Sequence, residues 1–169
     1  MATTIRGWQF SRGSTWGISE ASERVQNAIE DEVTSADLAA SSLRSQAMSK
    51  LLKIVQDCST DGWDGYSAKA IGEEACSRTQ TFLALLPVWM RAPDIVPEPD
   101  GQIAVEWYLD ATHTFSVSIG EEGPLHYAGV FGDEDEDHGV KAFDGCRIPK
   151  EIGDLIDKVF RVSNARRAA

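Results

Sequence analysis

Two groups of residues in this chain have types and spacings that could do chemistry. In the first, Glu106 and Tyr108 alternate with Val105 and Trp107 and so share one side of an extended segment, while His126 belongs to a similar segment further on. A carboxylate, a phenol and an imidazole on one face could carry acid–base catalysis. No nucleophile or oxyanion-hole motif accompanies them, and alternating polar residues are also the signature of the wet side of a half-buried sheet. An enzyme using Glu106, Tyr108 and His126 is therefore an alternative reading rather than the leading one. In the second group, Asp133, Asp135 and Asp137 alternate like the first ligands of a calcium-binding loop, with Asp144 at the twelfth position. The match fails at the sixth position, which is His138 instead of glycine, and at the twelfth, which is Asp instead of a bidentate Glu. Residues 132–139 read instead as a solvated acidic loop, and Asp133, Asp135 and Asp137 as a lure for lysine and arginine on a partner.

The remaining inventory excludes more than it suggests. His113, His126 and His138 show no zinc spacing, and no phosphate-binding glycine loop, dinucleotide fingerprint or nucleophile elbow occurs, so neither a metal nor a cofactor is expected. Cys58, Cys76 and Cys146 are an odd number without C-x-x-C, and no signal peptide precedes them, which points to reduced thiols and a cytoplasmic setting. Cys58 and Cys76 fall on apolar helix stripes, whereas Cys146 falls outside one. The formal net charge of -11 opposes direct binding to nucleic acid and to anionic membranes, and makes a protein with a basic surface the natural partner. The longest apolar run, residues 82–90, contains Pro87 and is too short to span a bilayer.

The elements that must position these residues follow from periodicity. Residues 101–131 are the only long segment with apolar residues at every second position: Ile103, Val105, Trp107 and Leu109, then Phe115, Val117 and Ile119, then a run from 125 to 131. Short turns at 110–112 and 120–123 make these an antiparallel meander, to which residues 94–96 can add a short edge strand. The rest reads as helix. An amphipathic helix is expected over 18–32, and a second opens at Thr34 or Ser35 and runs to Cys58 with Leu43, Ala47, Leu51 and Ile54 on one stripe, widened by Met48, Leu52 and Val55. A third begins near Ile71 and stops at Pro87, and a last one opens at Pro149 with Ile152, Leu155, Ile156, Val159 and Phe160 inward. The class is α+β: a meander of three to four strands with one face covered by helices from both ends of the chain. Residues 1–17 form an arm, 18–162 one domain and 163–169 a tail.

Exposed-prone aromatics complete the picture. Trp8 and Trp16 lie in the arm, which would dock on the body or build a homo-oligomer, and Gly62-Trp63-Asp64-Gly65-Tyr66 forms a tight loop between two helices. Trp63 and Tyr66 there either plug the edge of the core or, with Asp64, form a recognition surface. This segment, with Asp100-Gly101-Gln102-Ile103 and Glu106-Trp107, resembles small bacterial proteins of unassigned function that share a G-W-D-G-Y segment and a D-G-x-I-x-x-E-W strand. The resemblance covers residues 51–131 and implies a bacterial or phage origin and the order helix, helix, meander, with no activity attached. The leading expectation is a non-enzymatic acidic protein-binding module, such as an antitoxin or immunity-like neutralising partner or an accessory subunit of a defence or counter-defence system. Its contact residues would be Trp8, Trp16, Trp63, Asp64, Tyr66, Glu106, Tyr108, Asp133, Asp135 and Asp137. A third reading is a nucleic-acid mimic whose carboxylates at 133–137 and 30–32 occupy a basic surface.

Overall fold

The computed structural model describes residues 41–167; the helix expected over 18–32, the arm with Trp8 and Trp16, and the cap at Thr34 or Ser35 lie outside the described residues. Helix α1 occupies 41–57, α2 Glu73–Leu85 and α3 Lys150–Arg167. Between α2 and α3 run β1 (Asp94–Pro97), β2 (Ile103–Asp110), β3 (His113–Ile119), β4 (Leu125–Phe131) and β5 (Glu136–Lys141). They form one sheet in the order β1-β2-β3-β4-β5, every pair antiparallel. The α+β meander expected from the alternation is thus found, with five strands where three to four were expected.

The additional strand is β5, cut from the acidic stretch read as a loop. Only its first part, up to Asp135, is a turn, closed by Phe131 N donating to Asp135 O at 2.7 Å. Glu136 to Val140 pair with Val130 to His126, and Tyr127 lies across from Gly139, where its ring fills the space a side chain would take. Strand propensity is low in Glu-Asp-His-Gly-Val-Lys, and what wins is a ladder offered by the neighbouring strand.

The core has one side. Ile103, Val105 and Trp107 of β2 and Phe115, Val117 and Ile119 of β3 are all at most 1% exposed and form one cluster with Leu51 of α1, Phe82 and Leu83 of α2, and Ile152, Ile156 and Val159 of α3. Burying each such side chain contributes roughly 1.5–3 kcal/mol. The α1 stripe is narrower than expected: Ala47 and Leu51 are buried, but Leu43 and Leu52 are exposed. Helix α2 starts at Glu73, with Ile71 buried in the preceding loop, and Leu86 is extended because the ring of Pro87 disfavours helical geometry in the residue before it. Thr79, fully buried, donates its hydroxyl to the Ala75 carbonyl at 2.8 Å, so no polar group is stranded there.

Candidate functional site

Because side chains alternate along each strand, covering one sheet face with helices leaves a second face defined by the even-numbered residues of β1 to β5. Register places them in rows: Ala104, Ser118, His126 and Val140; Glu106, Ser116, Ala128 and His138; Tyr108, Thr114, Val130 and Glu136. Small residues hold the centre, so the surface is shallow. Tyr108, 68% exposed, stands above it. Glu106 and Glu136 put carboxylates on this face, the Asp94 carboxylate is paired with Lys50 of α1, and none of the strand positions on this face carries lysine or arginine.

The geometry adds a residue that the sequence reading left out. Glu98 follows β1 on the same parity as Asp94 and Val96, and its backbone N–H donates to Gln102 O at 2.9 Å to begin the turn into β2. Its side chain reaches β3, where the Ser118 hydroxyl donates to Oε1 at 2.9 Å. Partial burial pushes the Glu98 carboxyl above its usual range. The Ser118 hydrogen bond opposes this, the charges of Asp100 and Glu106 push it further up, and His126 draws it down. Ser118 in turn faces His126 across the β3–β4 ladder, so the Glu98 carboxyl is tied to the row that His126 occupies. The signal was available: the expected edge strand at 94–96, continued by two residues, puts position 98 on the open face. Next to His126 an open cleft of about 330 Å³ separates the turn at 100–102 from the turn at 120–124.

The other candidates disperse. In the loop after α1, Gly62 and Gly65 adopt φ of 76° and 81°, which side chains resist. That backbone lets Asp64 Oδ1 accept from Tyr66 N at 2.8 Å and Ala68 N at 3.2 Å, while the Trp63 indole donates to Lys69 O at 2.9 Å. Trp63 packs partly against the core, whereas Tyr66 is 89% exposed. Asp133 sits exposed in the turn before β5, Asp135 pairs with Lys158 of α3 at 2.8 Å, and Asp137 points to the helical side and accepts from the Tyr127 hydroxyl at 3.4 Å. These three carboxylates do not converge, and among the described residues no group of three or more His, Cys, Asp or Glu is placed to hold a metal ion.

The thiols divide as their positions suggest. Cys58 and Cys76 are buried, which raises both, and Cys146 is exposed. No helix among the described residues is long and apolar enough to cross a membrane.

Fold and surface together define an α+β protein with an antiparallel sheet backed on one face by helices, while no described helix packs on the other face. Compared with known protein families, with curated proteins and with solved structures, the chain has no match.

Proposed function

We propose that the protein is an acidic, non-enzymatic binding module that presents the bare sheet face to a basic surface on another protein. The observation that supports this reading is the composition of that face: three carboxylates, Glu98, Glu106 and Glu136, around an exposed Tyr108, with no lysine or arginine at any strand position on that side. Small central side chains permit close approach, the tyrosine supplies a rigid anchor, and the carboxylates steer a basic partner at encounter. Neutralising a toxin or serving as an accessory subunit of a defence or counter-defence system are tasks that such a face suits.

The test uses Glu106→Gln and Tyr108→Ala together. A basic protein captured from bacterial lysate by the wild type should bind the double variant at least tenfold more weakly, and the wild-type association rate should fall as salt rises from 50 to 300 mM. Capture that the double variant leaves intact, or that salt does not slow, refutes the assignment.

A second reading draws on Glu98. A carboxyl held above its ordinary range and bonded to Ser118, which faces His126 across the ladder, is a candidate acid–base group, and the cleft next to His126 would receive the substrate. Under that reading Glu98→Gln abolishes biological activity while partner capture persists. Under the binding reading both survive or fall together.

A further inference from the structure

The helical side of the molecule carries the opposite chemistry. After Pro87 the chain leaves α2 and crosses between α1 and α3 through residues 88–92. This segment is fixed at several points: Met90 N donates to Pro87 O at 3.0 Å, the buried Trp107 donates its indole N–H to Arg91 O at 2.9 Å, and the Arg91 guanidinium lies 4.4 Å from the centre of the Phe160 ring. Held this way, the segment points Trp89 outward, 68% exposed, next to Val88 at 55%, and Leu43 of α1, 45% exposed, shares the α1 cleft with Val88. Clefts flank the tryptophan segment. A shallow one runs along α1 past Leu43 and Ala47, and one of about 400 Å³ runs along α3 past Ile156 and Phe160.

Charge sorts the partner. Among the described residues Lys50 is paired with Asp94, Lys141 with Glu151, Lys150 with Asp154 and Lys158 with Asp135, so much of the positive charge elsewhere is already matched. Three arginines line the clefts of this segment instead: Arg44, which donates to the Leu86 carbonyl, Arg91 and Arg161, with Asp157 the one carboxylate in the lining among the described residues. In a chain of net charge -11, this concentrates exposed aromatic and aliphatic surface where positive charge also gathers. Arginine and tryptophan are the residue types that dominate binding hot spots.

We propose that the Trp89 surface docks an acidic amphipathic segment of a partner protein, its apolar side chains lying against Trp89, Val88 and Leu43 and entering the cleft along α3, and its carboxylates meeting Arg44, Arg91 and Arg161. A second copy of the chain is the poorer occupant. Two bodies of charge -11 repel, and joining this patch to the acidic sheet face is a head-to-tail contact that propagates instead of closing. The two surfaces lie on different sides of the sheet, so the module bridges a basic partner and an acidic segment, and neither assignment rests on the other.

A display library of random 16-residue peptides, selected on the intact protein, tests this. The enriched sequences should be acidic, with aliphatic or aromatic residues at helical spacing. Their affinity should fall at least tenfold on Trp89→Ala, at least threefold on Arg161→Gln, and progressively from 50 to 300 mM salt. Glu106→Gln with Tyr108→Ala should leave them bound. Enrichment of basic or neutral sequences, binding indifferent to Trp89→Ala, or no enrichment because the surface is already covered within the protein overturns the proposal. Trp89→Ala should melt with the wild type, since its side chain is exposed. Should it unfold, Arg161→Gln decides alone: a threefold loss supports the docking surface, and unchanged affinity overturns it.

Discussion

Replacing Gly129 by alanine tests the packing beneath the open face at its tightest point. Gly129 lies in β4 on the helical side, opposite Phe115, and a methyl group there would stand 2.6 Å from Phe131 Cζ and 2.8 Å from Phe115 Cδ2. Carbon atoms prefer about 3.5–4.0 Å, so one or both rings must move by roughly 1 Å. They are not free to do so. The Phe115 and Phe131 centroids are 6.2 Å apart, Trp107 and Tyr127 stack against Phe115 at 6.1 and 6.0 Å, and Phe115 is 1% exposed. Overpacking of this kind costs about 1–3 kcal/mol, which for a chain of this size lowers Tm by roughly 3–10 °C. Gly153 provides the control. It lies within α3 with nothing within 4 Å of a would-be methyl, so Gly153→Ala should stabilise by about 0.5–1 kcal/mol. Urea and thermal unfolding of both variants, with Phe131→Leu alone and combined with Gly129→Ala, complete the set. Removing the ring atoms that clash should make the combined variant less damaged than the sum of the two single changes. Equal signs for Gly129→Ala and Gly153→Ala, or strict additivity with Phe131→Leu, would refute the account of the β3–β4 register and its aromatic packing.

Two acid groups give further tests, with opposite signs. At the β2–β3 turn, the Asp110 carboxylate accepts from His113 Nδ1 at 2.8 Å and from Thr112 N and Oγ1 at 3.0 and 2.9 Å, and these bonds hold it down to about 2. A depressed carboxyl stabilises the fold above its unfolded value near 4 and loses that contribution as pH falls towards 2. Asp110→Asn should therefore melt below the wild type at pH 7, with the gap closing between about pH 4 and pH 2; parallel Tm curves would sink this reading. Glu98 is raised, so its protonated form favours the fold, and the benefit is lost as pH climbs through its folded value. Glu98→Gln keeps an acceptor for Ser118 and removes the charge, so it should melt no lower than the wild type at pH 7, and a clear loss of stability there would contradict the environment described.

What was legible in the sequence was whatever depends on period alone. Two-residue alternation from Ile103 to Ile119 identified β2 and β3 and the sides that Val105, Trp107, Val117 and Ile119 would bury. Helical spacing found Ile152, Leu155, Ile156 and Val159. Pro87 marked the end of α2 because its ring disfavours helical geometry one residue earlier. These are local properties of the backbone, and they survive folding. Tertiary structure decided what depends on a neighbour. Strand β5 exists because β4 offers it a ladder. Glu98 meets Ser118 because the β1–β2 turn folds its side chain over β3. Trp89, ordinary in a run of apolar residues, stays in solvent because Pro87, Trp107 and Phe160 fix the backbone and guanidinium around it. Charge and alternation can be read along the chain, but which side chains share a surface is set by register and by which faces the helices leave bare.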